Sequence, residues 1–212
     1  MTRPEPEIRL LTCADALAYR DIRLEGLHCH PEAFASTFED ERDKSLDWFK
    51  ELITQSRIFG AVLAQGLVGV VGLRSHADAK LRHKAMIWGM YVRHEARQSG
   101  IGGRLMDAAV AHAPSHVEQI QLAVVTENEA ARRLYAKAGF IEYGHQANAL
   151  KHGGRYYDDI LMVNFLGSER RTPFDAVAKR SLSPPSFRDA PTGADPRGGC
   201  PCKPRHQCKR VV

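Results

Sequence analysis

The chain has 212 residues, enough for one domain with a sizeable core plus a tail, and its hydrophobic fraction of 43% is ordinary for a globular protein. No apolar run reaches the ~18 residues a membrane helix needs, and the first residues lack the apolar stretch of a secretory signal, so the expected compartment is the cytoplasm. The formal net charge of +5 belongs to the C-terminal part: residues 168–212 hold ten Lys and Arg against four Asp and Glu, while residues 1–167 hold twenty against twenty-one, which gives no general electrostatic reason to expect a nucleic-acid partner.

In chain order, residues 7–11 read as a short strand. Thr12 then stands as an N-cap with Asp15 in capping-box position, and a helix should run to about residue 25, burying Leu17, Ile22 and Leu24. Pro31, Glu32, Ala33 and Phe34 open a second short helical piece, since proline suits a first turn. Residues 45–55 carry Leu46, Phe49, Leu52 and Ile53 at helical spacing. The pattern changes at Arg57: apolar segments 58–64 and 68–73 flank Gln65-Gly66 and read as a hairpin. A buried strand follows over 85–92, then a helix over 102–112 with Leu105, Met106, Ala109 and Val110 on one face. Residues 120–125 are apolar on both faces, as in a central strand, and a helix over 128–138 is stopped by Gly139. A last hairpin joins 140–150 to 155–165 around His152, Gly153 and Gly154. This order predicts an α/β fold with a crossover helix between two apolar strands. Proline and glycine crowd residues 168–212, which are expected to form a disordered or loosely attached basic tail beyond a domain over 7–167. Cys200, Cys202, His206 and Cys208 invite a zinc reading there, but the spacing is tight and the flanks are proline-rich, so no metal is expected.

The stretch that carries chemistry runs from the strand end Met90, Tyr91, Val92 into Arg97, Gln98, Ser99, Gly100, Ile101, Gly102 and Gly103, and then directly into an amphipathic helix. Glycines let a backbone approach a ligand closely and turn successive N–H groups toward it. The first N–H groups of a helix are unpaired and lie at the positive end of its dipole, so the segment suits a phosphate. Arg97 and Arg104 are placed to add charge. Two phosphate-binding patterns fail here: Leu105 stands where the dinucleotide fingerprint needs its third glycine, and no G-K-[ST] run exists for a P-loop.

The pattern that does match is the R/Q-x-x-G-x-G/A motif of the GNAT superfamily of acyl-CoA N-acyltransferases, at Arg97, Gly100 and Gly102. Downstream, Asn128, Ala131, Leu134, Tyr135, Gly139 and Phe140 resemble that superfamily's N-x-x-A-x-x-L-Y-x-x-x-G-F helix. The stretch from Arg23, Leu24 and Glu25 to Pro31 and Phe34 also looks like members of it, and the resemblance covers about 7–166. It implies a GNAT-like fold, with a central mixed, mostly antiparallel sheet flanked by helices. It also implies acetyl-CoA as cosubstrate and an amine, of a small molecule or a protein, as acceptor. A homodimer is compatible with it. By the same resemblance, amides of residues 98–103 hold the pyrophosphate, Met90, Tyr91 and Val92 pair with the pantetheine arm, Asn128 contacts that arm, and Tyr135 protonates the leaving thiolate.

One departure stands out. Relatives often carry a Glu on the strand before the loop or on the one after it, and here neither 85–92 nor 120–125 contains a carboxylate. A base is then sought at Glu32, His94 or Asp158 or through water, and a non-catalytic acyl-CoA-sensing module becomes the alternative to an enzyme. Trp88 and Tyr91 are candidates for a substrate pocket, and Tyr156, Tyr157, Asp158 and Asp159 for an acceptor edge where a carboxylate could bind an ammonium.

Overall fold

A computed structural model describes residues 5–167; the tail and its cysteine cluster lie outside the described residues. The elements are β1 (Glu7–Leu10), α1 (Ala16–Cys29), α2 (Phe38–Arg42), α3 (Leu46–Gln55), β2 (Arg57–Leu63), β3 (Gly66–Ser75), β4 (Lys84–Val92), α4 (Ile101–Ala111), β5 (Gln119–Val125), α5 (Glu129–Lys137), β6 (Ile141–His152) and β7 (Arg155–Phe165). They build a seven-stranded sheet in the order β1-β2-β3-β4-β5-β7-β6. Every pairing is antiparallel except β4 with β5, where α4 makes the crossover that a parallel pair requires. This is the mixed, mostly antiparallel sheet that the resemblance implied.

Each sheet face has its own core. Beneath α4 and α5, Leu105, Met106 and Tyr135 pack on Phe59, Val71, Ile120, Leu122 and Met162. Beneath α1 and α3, Tyr19, Ile22, Phe49 and Ile53 pack on Ile58, Val70 and Tyr91. The helix expected after Thr12 begins with a single tight turn at Cys13–Asp15, and its buried stripe differs from the expected one. Ile22 is fully buried, but Leu17 is 58% exposed and Leu24 only half-buried. Tyr19, Arg23, Gly26 and Leu27 face inward instead, because the stripe from Ala16 follows their helical spacing.

Helix α2 has no counterpart in the sequence reading. It is only five residues long and is capped by Thr37, whose Oγ1 accepts from the Asp40 amide at 3.1 Å. Its Glu41 accepts from Arg23 Nε at 3.0 Å and from Arg23 Nη2 at 2.7 Å, a buried two-point ion pair that ties α2 to α1.

Candidate active site

Strands β4 and β5 pair only over their first residues, where Lys84, Ala85 and Met86 meet Gln119, Ile120 and Gln121. Beyond Met86 they part: β4 stays on β3 as far as Val92, and β5 stays on β7 as far as Val125. A gap therefore opens through the sheet, and residues 87–92 present an unpaired strand edge to it. A bulge bends the same stretch. Val70 pairs with Tyr91 and Gly72 with Trp88, so Gly89 and Met90 together oppose a single β3 residue. Gly89 has φ +61°, which glycine adopts without the usual steric cost. A cleft of about 890 Å³ and a smaller cavity of about 80 Å³ occupy the gap, and Phe34, Met90, Val125, Asn128 and Tyr135 line both.

The glycine loop forms one wall of the cleft. Arg97, Gln98, Gly100, Ile101, Gly102 and Gly103 line it, with Gly100 as N-cap of α4 at φ +81°. The unpaired amides and positive dipole end of an eleven-residue helix thus border the cavity. Ser99 does not line it; its hydroxyl donates to the Ala96 carbonyl. Gln98 holds a left-handed conformation at φ 58°, local strain in the middle of the loop.

The two arginines expected to add charge both have partners, Arg97 within the cleft wall and Arg104 at Glu5. Arg97 donates from Nε to the Val92 carbonyl and approaches His30 Nε2 with Nη2, both at 2.9 Å, while its guanidinium lies 5.6 Å above the Tyr91 ring. With Arg97 donating, His30 Nε2 is the acceptor, and the ring proton sits on Nδ1, 3.4 Å from Glu32. Arg104 pairs with Glu5 at 2.9 Å.

Met90, Tyr91 and Val92 line the cleft as well. The Tyr91 hydroxyl donates to Glu25 Oε1 at 3.0 Å, and burial, followed by this hydrogen bond, pushes the phenol up to about 12. Asn128 caps α5 by accepting from the Ala131 amide at 3.1 Å through Oδ1, which leaves its NH₂ group for a ligand. Tyr135 is 9% exposed, with its ring centroid 6.3 Å from that of Phe140, and burial alone pushes its phenol up to about 12. Trp88 lines the smaller cavity.

The three candidate bases separate. Glu32 lines the cleft beside His30. His94 is exposed on the turn after β4 and is not part of the wall. Asp158 accepts from the Asn148 amide at 2.8 Å and pairs with His145 at 3.2 Å, closing an irregularity in β6. His30, Phe34, Glu127 and Arg155 are cleft residues that the sequence reading missed. They come from three distant segments, and no spacing signal links them before the chain folds. Glu127 and Arg155 pair with each other at 2.9 Å at the edge of the cleft.

Comparison with known proteins agrees with this architecture. The model of the acetyltransferase (GNAT) family matches residues 21–140, more than half of the chain. A GNAT-family acetyltransferase from Streptococcus pneumoniae superposes with a TM-score of 0.66 at 22% identity, over 77% of this chain and 100% of that one. A ribosomal-protein-alanine N-acetyltransferase from Brucella melitensis gives 0.64 at 21%, over 75% and 99%. The yncA protein of Salmonella typhimurium, solved with its cofactor acetyl-CoA, gives 0.66 at 18%, over 79% and 97%. At these identities the structures speak for the fold, while the family model assigns the chain. The split sheet, the glycine loop that caps α4 and the family match converge on one conclusion: this chain belongs to the GNAT family of acetyltransferases.

Proposed function

We propose that this domain moves the acetyl group of acetyl-CoA onto a primary amine of a small molecule or a protein by direct attack, with Tyr135 as general acid. The observation that carries this reading is the gap between β4 and β5, bordered at one end by the amides of the glycine loop and lined by Tyr135. Acetyl-CoA supplies the acetyl group as an activated thioester. Its pyrophosphate fits amides of residues 98–103, and its pantetheine amides fit the unpaired edge at Met90, Tyr91 and Val92 in the manner of an added strand. The Asn128 NH₂ group reaches toward the same arm.

Tyr135 is suited to hold a proton at the buried end of the arm. Burial keeps its phenol neutral, and therefore a donor, throughout the physiological range. Transfer to a free thiolate of ordinary pKa, near 8.5, is uphill by about 5 kcal/mol. The same dry surroundings raise the thiolate's own proton affinity and reduce that gap. The test is thiol release from acetyl-CoA with a panel of amines. Tyr135→Phe is expected to lower kcat by about 100-fold or more while leaving acetyl-CoA affinity within a few-fold. Equal turnover would remove Tyr135 from the mechanism. Tight binding with no release for any amine would favour the sensing module, and no binding of acetyl-CoA would overturn the reading.

A further inference from the structure

Ala33 and Phe34 line both cavities of the gap, as Tyr135 does. They belong to the short turn Pro31–Ala33 and the residue after it, and the turn packs on β5 and β6. His30 fixes where this turn begins. Its amide donates to the Gly26 carbonyl at 3.0 Å, closing α1, and its carbonyl accepts from the Ala33 amide at 3.0 Å, opening the turn. The His30 backbone therefore belongs to both elements, and whatever holds its ring also holds the start of the turn.

Two guanidinium groups hold the segment 30–34, one at each end. At Phe34, the Arg23 guanidinium lies 5.3 Å from the ring centroid. Arg23 is locked in its buried pair with Glu41, so this end is anchored in the core. At His30, Arg97 Nη2 donates to Nε2 at 2.9 Å. Among the described residues this is the one side-chain hydrogen bond between the segment 30–34 and the glycine loop 97–103. Arg97 Nε holds the Val92 carbonyl at 2.9 Å, so one planar fork spans from the end of β4 to the turn. The Tyr91 ring is the platform for both groups, 5.6 Å from the Arg97 guanidinium and 6.0 Å from the His30 ring. That platform has little room to shift. The Tyr91 hydroxyl is held by Glu25 at 3.0 Å, and α1 comes so close that a Cβ on Gly26 would lie 3.1 Å from the Tyr91 Cγ. Glu32 faces His30 Nδ1 at 3.4 Å, which favours the tautomer that leaves Nε2 free to accept.

We propose that His30 is a positioning residue that transmits the state of the cofactor loop, through Arg97, to the turn lining the reacting end of the gap. This rests on the acetyl-transfer reading above, which sets the pyrophosphate on residues 98–103 and the thioester beside Tyr135. One end of the segment 30–34 is anchored by Arg23 whatever is bound. The other end is anchored only as firmly as the loop that carries Arg97. When the pyrophosphate orders that loop, Arg97 is fixed between Val92 and His30, and Ala33 and Phe34 are held in place as the amine enters. His30 moves no proton in this role.

Hydrogen exchange with and without saturating acetyl-CoA, in wild type, His30→Gln and His30→Leu, separates this role from a merely structural one. In wild type, acetyl-CoA should slow exchange at Glu32, Ala33 and Phe34 as well as at residues 98–103. His30→Gln should keep both effects, because a carboxamide oxygen can accept from Arg97. His30→Leu should keep protection of the loop and lose that of the turn. In thiol-release assays with spermidine, glycinamide and an alanine-terminated peptide, His30→Leu should raise the KM for the amine about fivefold, the worth of one exposed hydrogen bond, with acetyl-CoA affinity within about twofold. Arg97→Lys keeps the charge but not the fork, so it should also lose protection of the turn, and adding His30→Leu to it should raise the amine KM no further. Should His30→Leu fail to fold, Arg97→Lys carries the exchange comparison.

Protection of the turn that persists in His30→Leu would mean that the cofactor reaches these residues directly. Additive KM effects would mean that the two side chains act independently. Either result, or a wild type whose turn exchanges unchanged on binding, would overturn the role of His30 and leave acetyl transfer standing. Binding without turnover of any amine would overturn the transfer reading, and the exchange comparison would still decide for or against His30. A wild type that binds no acetyl-CoA overturns both.

Discussion

Asp15 sits where β1 turns into α1, gripped from two directions. Arg9 donates to it from Nη2 at 2.6 Å and from Nη1 at 2.9 Å, and the Thr12 amide donates at 2.8 Å. The Arg9 hydrogen bonds hold its carboxyl well below the usual carboxylate range, against the opposing effect of burial. A depressed folded pKa gives stability that is present above the unfolded value, near 3.9, and is lost as pH falls through the folded one. Asp15→Asn should therefore cost about 1 kcal/mol at pH 7, a figure discounted because Arg9 is 36% exposed, and the difference from wild type should narrow in acid. Urea midpoints at pH 7 and below pH 3 would read this out; a difference constant across that range would refute it. The Thr12–Asp15 pair and the glycines at 100 and 102 are legible in sequence because their partners lie within a few residues. The contact of Arg97 with His30 is not, because the two groups are brought together only by folding.

At the level of elements, the Arg23–Glu41 pair is the feature that hydrophobic patterning hides. An apolar stripe identifies α1, but that stripe contains a buried guanidinium that also lies 5.3 Å from the Phe34 ring and 5.7 Å from the Trp88 ring. Removing one partner of such a pair leaves an uncompensated buried charge. Glu41→Gln should destabilise the fold by about 3–5 kcal/mol, measured by urea unfolding, whereas a change under about 1 kcal/mol would show that water reaches Arg23. The remaining elements were readable to within a few residues wherever periodicity ran over several turns or strand positions, as in α3, α4, α5, β5 and β7. Helix α2 is too short to show a period, and only its Thr37–Asp40 box marks it.

At the scale of the whole molecule, the sheet is incomplete where the cleft lies. Its two antiparallel parts are joined by three residue pairs between β4 and β5 and then diverge, which opens the gap that holds the cleft. The split could not be read from sequence, since β4 and β5 both look like ordinary apolar strands and their divergence comes from the bulge at Gly89 and from their outer partners. We propose that 7–167 forms the complete domain, because β7 ends at Phe165 with the sheet already built. Removing residues 168–212 should then shift Tm by less than about 3 °C, the equivalent of under about 1 kcal/mol. A larger loss would make those residues part of the fold. Among the described residues no helix is long and apolar enough to cross a membrane.

The central claim is that acetyl-CoA lies between the glycine loop and the free edge of β4. Backbone hydrogen exchange with and without saturating acetyl-CoA tests it most directly. Exchange should slow at residues 98–103 and at Met90, Tyr91 and Val92, while β1 and the outer edge of β6 stay unchanged. Saturable binding that protects some other surface and leaves these amides exchanging at their original rates would contradict the account.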